Sequence, residues 1–532
     1  MFFKESIHKR IYIFSLFLLS IAIPTSVFLM SLSQFILYGN WILEGRFKEK
    51  WTRLTNNKNL WIFISIYFIH LLWLFPPQDY SYALNDLRIK LPMALMPFFI
   101  ASSEPLDRRT MKFLFTTFAI SVIFVSFITL YRWIFQESLG ISDYRQVSPF
   151  ISHIRYSLMI VFSIFILFNY SFIEKENKKT LRIAYFIAML YLIVLIFILR
   201  VNTGIFIFSI LSFIVFAYFL VKSSSCIKWF LSVAIVVMLV FLYNYSKNIW
   251  NSFIIGMNTT APDSLVYTPN GNLYSFIKES KEVENGKKVW YYIQEDELRK
   301  EWNKRSSICY DCLDFKGNQL KFTLIRYLTS KGLTKDSLGC SKLTTEDIKA
   351  IEKGIANFQY TRRWSLYPYI YSFMWDYYSH RYLGYVNGSS LFQRVEYLRT
   401  AIAIINEHFW FGVGTGNVQK SFNKKYDELK SPLTYEFRLR AHNQFVTFLL
   451  TFGIFAFIWI LFAFIYPYFK HLTKPKFLPI IFFLIVIISF FNEDTLETQA
   501  GITFVVFFYT LFTFARQQNE VTKPSQYERP NI

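Results

Sequence analysis

The chain has no phosphate loop after a strand, no dinucleotide-binding fingerprint and no G-x-S-x-G elbow, which removes the usual nucleotide-dependent and hydrolase readings. It has no internal repeat and no low-complexity tract. Acid is scarce, with 36 Asp and Glu against 57 Lys and Arg, for a net charge of +21. Cysteine is scarcer still, at 4. No D-x-D pair stands out, so a metal held by paired aspartates is not expected; Glu493, Asp494 and Glu497 form the one compact acidic group of interest. No small-residue cleavage site follows Ile23 and Pro24, so the apolar stretch after MFFKESIHKR reads as an uncleaved first span.

Apolar residues are abundant. They make up 53% of 532 residues, 61 of them Phe, and the mean hydropathy is +0.29. A soluble fold of this size does not carry that load, and the fold class expected is an all-α polytopic membrane protein. With a span taken as roughly 17 to 25 apolar residues, about twelve segments emerge. They begin at residues 11, 26, 60, 89, 111, 154, 182, 203, 229, 443, 477 and 501.

The basic residues sort these spans. Arg46, Lys48, Lys50, Arg53 and Lys58 fill one connector; Arg108, Arg109 and Lys112 another; Lys175, Lys178, Lys179 and Arg182 a third; Lys222 and Lys228, then Lys470, Lys474 and Lys476, two more. The short connectors between them, PPQDYSYALND, QESLGISDYRQVSPFIS, the turn at Val201 to Thr203 and FNEDTLETQAG, are poor in Lys and Arg, an alternation that places both termini in the cytoplasm. Clustering in short connectors also assigns the positive charge to topology and anionic lipid rather than to nucleic acid.

The same reasoning sets out the domains: spans 1 to 9 in residues 1–250, an extracytoplasmic domain in 251–441, spans 10 to 12 in 442–516 and a cytoplasmic tail in 517–532. A connector of about 190 residues needs structure of its own. LTTEDIKAIEKGIANF, with a Thr cap and early acids, reads as a helix there, while TPNGNLY and CLDFKGNQL suggest short hairpins. An oxidising outer compartment permits a disulfide, most simply Cys309 with Cys312, or one of them with Cys340.

The stretch FQRVEYLRTAIAIINEHFWFGVGTGN organises the rest. Leu391, Val395, Leu398, Ile402 and Ile405 recur at helical spacing, with Arg394 at the edge of that stripe. Gly412, Gly414 and Gly416 then allow a turn of positive φ and a close approach to a neighbour. His442 opens the next apolar run in AHNQ. This layout resembles the signature domain of O-antigen ligases and related membrane glycan polymerases, although Leu398 stands where those proteins usually carry Trp.

The resemblance implies an inverting, metal-independent glycosyltransferase without a cofactor. It would move a glycan from undecaprenyl pyrophosphate to a hydroxyl of lipid A-core on the periplasmic face of the bacterial inner membrane. It implies His442 as the residue tied to catalysis, and imidazole is the side chain suited to taking a proton near neutrality. It implies Arg394 as one pyrophosphate ligand. The second falls to Arg200, two residues before Asn202 in RVNTG, or to Arg155 in PFISHIRYSL, with His153 beside it. Arg440 and Glu493 are accessory candidates. A lipid-linked glycan polymerase or a protein oligosaccharyltransferase shares that donor site; a lipid-linked glycan transporter is the rival of another class, and the two-halved symmetry transporters often show is not evident.

Overall fold

The computed structural model describes residues 5–74, 79–135, 144–174, 178–199, 201–222, 225–261, 266–362, 365–387, 389–471 and 476–515. Arg200 and the 517–532 tail lie outside the described residues. Among the described residues the architecture is all-α, with strand pairing confined to Val283–Glu284 against Lys287–Lys288. Among the described residues, six helices are long and apolar enough to cross a membrane: 6–25, 108–134, 153–173, 179–198, 202–221 and 444–470. Shorter apolar helices occupy Lys58–Leu72, Phe477–Asn492 and Gln499–Thr513. The chain is a multi-pass membrane protein.

The segment expected to span from residue 89 is divided. One helix runs Tyr80–Lys90 and a second Pro92–Ser102. Proline has no N–H to offer the preceding turn and suits the first turn of a new helix, so the break falls at Pro92. The first two expected spans are likewise separate helices, Glu5–Thr25 and Val27–Glu44, with the Ser26 hydroxyl accepting the Leu29 amide at the second start.

The chain forms two compact units. The first takes 1–218, 396–431 and 438–532, the second 219–395 and 432–437. Each has its own core. In the first, the Gln499–Thr513 helix is apolar on every face and every residue from Ala500 to Thr513 is buried. A helix without a polar face belongs at the centre. Phe162, Phe118 and Phe482 meet its Phe508 with centroids 4.8, 4.8 and 5.8 Å away.

In the second unit Trp302, Tyr310, Leu324 and Leu328 centre one cluster. The Thr345–Glu352 helix starts on the expected cap, a reciprocal pair between Thr344 and Asp347. The two expected hairpins are reduced to single antiparallel bridges, Tyr267 with Leu273 and Leu313 with Gln319. Cys309 and Cys312 are joined, and Cys340 is buried and unoxidised.

Candidate active site

The glycine turn does its work with backbone. The Gln444–His471 helix is broken at Gly453, whose φ of 73° no helix accommodates. A break strands the carbonyls of the preceding turn. The turn after the Ser390–Glu407 helix meets them: the Val413 amide donates to the Leu450 carbonyl at 2.9 Å and the Gly414 amide to Thr451 at 2.9 Å. In return the Ile454 amide donates to the Phe409 carbonyl at 2.9 Å. A Cβ at Gly412 would run into the Thr451 backbone, and one at Gly453 into Trp410 and Phe411, so both positions require glycine. Thr415 completes the clamp, its amide on the Trp73 carbonyl at 3.0 Å and its hydroxyl on His70 at 2.9 Å. The motif is thus a backbone splice between two chain breaks.

His442 sits just before that broken helix with φ of 49°, in the left-handed region. For a histidine this is an uncommon conformation that its surroundings must hold. The two residues that follow do so. Asn443 accepts the Val446 amide at 3.1 Å, capping the helix, and donates to the Phe491 carbonyl at 3.0 Å. Gln444 donates to Glu497 at 3.1 Å and accepts the Leu496 amide at 2.8 Å. Together they fasten the turn between the last two apolar helices to the start of this one.

The fastening brings Glu493 to His442. Glu493 Oε2 lies 3.7 Å from His442 Nδ1 and 3.2 Å from Arg155 Nη1. The Arg155 Nη2 atom donates to the Asp494 carbonyl at 2.7 Å. Glu493 is 1% exposed, whereas the His442 side chain is 32% exposed. The tilted Tyr397 ring stands 5.6 Å from the imidazole. A part-exposed imidazole with one ring nitrogen toward a buried carboxylate is held in a defined orientation.

Below this line runs a second cluster. Lys90 Nζ bridges Asp86 at 2.6 Å and Glu497 at 2.9 Å, and Arg440 donates to Glu497 at 3.2 Å and to the Tyr82 hydroxyl at 3.0 Å. Burial raises the Glu497 carboxyl, but Lys90 and Arg440 outweigh it and hold it well below the usual carboxylate range. Asp494, which accepts the Thr447 hydroxyl at 2.8 Å, is pushed up by burial. A small cavity of about 10 Å³, lined by His70, Asp86, Lys90, Thr415, Arg440 and Glu497, lies within the cluster. That is room for one water.

His442, Glu493, Arg155 and Arg440 therefore come together in one unit. His153 opens the His153–Phe168 helix two residues before Arg155 and is half-buried. Arg155 is not an outward-facing cation: it is 9% exposed and engaged with Glu493 and Asp494. Arg394 is half-buried on the Ser390–Glu407 helix, in the part that belongs to the second unit. On that helix Leu391, Val395, Leu398 and Ile402 are exposed and Ile405 is buried, while Tyr397, Thr400, Ala401 and Ile404 turn inward. In lipid an apolar stripe needs no protein partner.

Some contributors escaped the sequence reading. Asp86 carried a signal, since it stands four residues before Lys90 on one helix face. Gly453 carried only the weak one of a lone glycine in an apolar run.

Fold and site together define a polytopic, all-helical membrane protein with an oriented histidine beside a buried ionic cluster. Residues 356–461, about a fifth of the chain, match the model of the Wzy_C family, described as O-antigen ligase, and over that stretch the chain is similar to that family. The class of protein it indicates is a glycosyltransferase of the ligase and polymerase type. No curated protein matches the chain.

Proposed function

We propose that the protein transfers a glycan from undecaprenyl pyrophosphate to an acceptor hydroxyl, with lipid A-core as the acceptor, at the periplasmic face of the bacterial inner membrane. The observation that carries this reading is the line Arg155, Glu493, His442, set by the HNQ start of the broken helix. His442 takes the proton of the acceptor hydroxyl as its oxygen bonds to the anomeric carbon. The bond from that carbon to the pyrophosphate breaks from the opposite side, so configuration inverts. The proton passes from the imidazole to solvent.

Arg394 meets the charge that develops on the departing pyrophosphate, with Arg200 as the second cation. Guanidinium suits this because it is planar, always charged and can bind two oxygens at once. Positioned cations do this without a metal, since charge stabilisation is what the step needs. Arg155 is assigned to positioning instead of to pyrophosphate, because its Nη atoms already hold Glu493 and the 494 carbonyl.

Purified protein in lipid, supplied with lipid-linked glycan and separately with lipid A-core, a second lipid-linked glycan or a protein, tests the reading by which acceptor gains sugar. His442→Ala is expected to abolish transfer while donor binding survives, and Arg394→Ala to weaken donor binding. Full turnover by His442→Ala removes the base.

A further inference from the structure

A second cavity lies wholly within the other unit. It measures about 230 Å³ and is lined by Trp375, Ser379, Tyr385, Asn387, Ser389 and Pro432. Its wall is irregular in a specific way. The Tyr367–Tyr378 helix widens at its end into a π-turn, Ser379–Leu383, and stops at Gly384 with φ of 72°. Such widened turns are rare and gather at functional sites.

The polar groups around it are unequal. Most are engaged: the Tyr385 hydroxyl donates to Glu282 at 3.0 Å, Ser389 to Asp376 at 3.0 Å, and Asn387 accepts the Thr434 amide at 3.1 Å. Ser379 differs. It is 2% exposed, lines the cavity, and its hydroxyl has no hydrogen-bond partner. A buried hydroxyl left unmade costs free energy that a bound ligand recovers. Beside it stands Trp375, whose ring is held by the Arg326 guanidinium at 5.0 Å.

We propose that this cavity is a subsite for one pyranose ring of a glycan. It rests on the reading of the protein as a glycan transferase. A pyranose has an apolar C–H face and a hydroxyl edge, so it calls for an aromatic surface next to donors and acceptors, which is what Trp375, Ser379 and Tyr385 supply. The size selects a single ring, since pockets for larger ligands run to about 300–1,000 Å³. The ring comes from the donor or the acceptor glycan, and the chemistry is the same for both.

The test uses full-length protein in lipid nanodiscs and methyl glycopyranosides as probes, one set made from the donor's sugars and one from the acceptor's. A diazirine-bearing glycoside is expected to label peptides within 375–389, and an unlabelled glycoside of one set to compete; which set competes names the source. Ser379→Ala is expected to bind about tenfold more weakly. The same change leaves thermal unfolding of the ligand-free protein equal or slightly higher, because it removes an unpaired buried hydroxyl. Trp375→Phe keeps part of the binding and Trp375→Ala loses it. Label elsewhere, competition by an acyl chain instead of a glycoside, or wild-type affinity in Ser379→Ala overturns the proposal. Pyrophosphate release from the lipid-linked donor is followed on the same samples. Intact release without glycoside binding sinks the subsite alone, and binding without release in the wild type sinks the transferase reading alone.

Discussion

Two carboxylates, one in each unit, are equally buried and differently held. Glu284 and Glu493 are both 1% exposed. Glu284 accepts from Arg326 Nε at 2.8 Å, Asn357 at 2.7 Å and Tyr371 at 2.9 Å, and these residues come from three separate stretches of chain. Glu493 instead faces Arg155 at 3.2 Å and a part-exposed imidazole at 3.7 Å. Short bonds from several directions make a carboxylate a fold element, since each donor would be stranded without it. A longer approach to an exposed histidine leaves attraction in reserve for the moment that ring gains a proton, and such distances often tighten only when substrate is bound.

The comparison breaks if the two acids respond alike. Glu284→Ala strands Asn357, Tyr371 and part of Arg326, and is expected to cost the second unit about 3 kcal/mol, read as a fall in its unfolding temperature and early proteolysis. Glu493→Gln keeps the size and a hydrogen-bonding edge but leaves buried Arg155 without its counter-charge, so the first unit is expected to lose stability, though less than Glu284→Ala costs the second. The change is expected to slow transfer about 10- to 100-fold with donor binding preserved. Equal loss of stability in both variants makes Glu493 a fold element too.

How far the sequence reaches differs between these regions for the same physical reason. The Thr344 cap and the Cys309–Cys312 pairing were legible because their partners lie within a few residues. The glycine turn was legible as a turn, and its partner was not: nothing in GVGTGN names Gly453, about forty residues on, as the break it splices. Lys90 with Glu497 joins residues 407 apart, and no periodicity encodes such a pair. Arg155 shows the limit most clearly. An arginine at a span end reads the same whether it awaits a phosphate or already holds a carboxylate, and only the fold of the 493–497 turn decides.

Acid sharpens the contrast within the second unit. Burial raises Glu297, but hydrogen bonds from Asn272, Thr268 and Ser337 outweigh it and lower the carboxyl to about 2. A folded value below the unfolded one, 4.5, means the unfolded chain binds more protons between the two. The contribution of Glu297 is therefore complete above that unfolded value and is lost as pH falls through the window toward 2. The stability of this unit should therefore fall as pH drops across that window, and Glu297→Gln should flatten the dependence. An unchanged slope in the variant assigns the acid sensitivity to another group.

The disulfide is the smallest lever. Cys309 and Cys312 are three residues apart, and closing so short a loop restricts the unfolded chain by about 2 kcal/mol at most. The turn has other supports: the Tyr310 amide donates to Asn303 at 2.8 Å and the Leu320 amide to the Cys312 carbonyl at 3.0 Å. Cys309→Ser with Cys312→Ser should thus lower the unfolding temperature of the second unit by less than Glu284→Ala does, and should leave the rate of transfer unchanged. The second result bears on the comparison, because it asks whether a disturbance in the closed region reaches the histidine. Transfer that falls in step with stability after this double change would mean that the proposed base, His442, depends on the rigidity of the other unit, and that the two carboxylates are not independent.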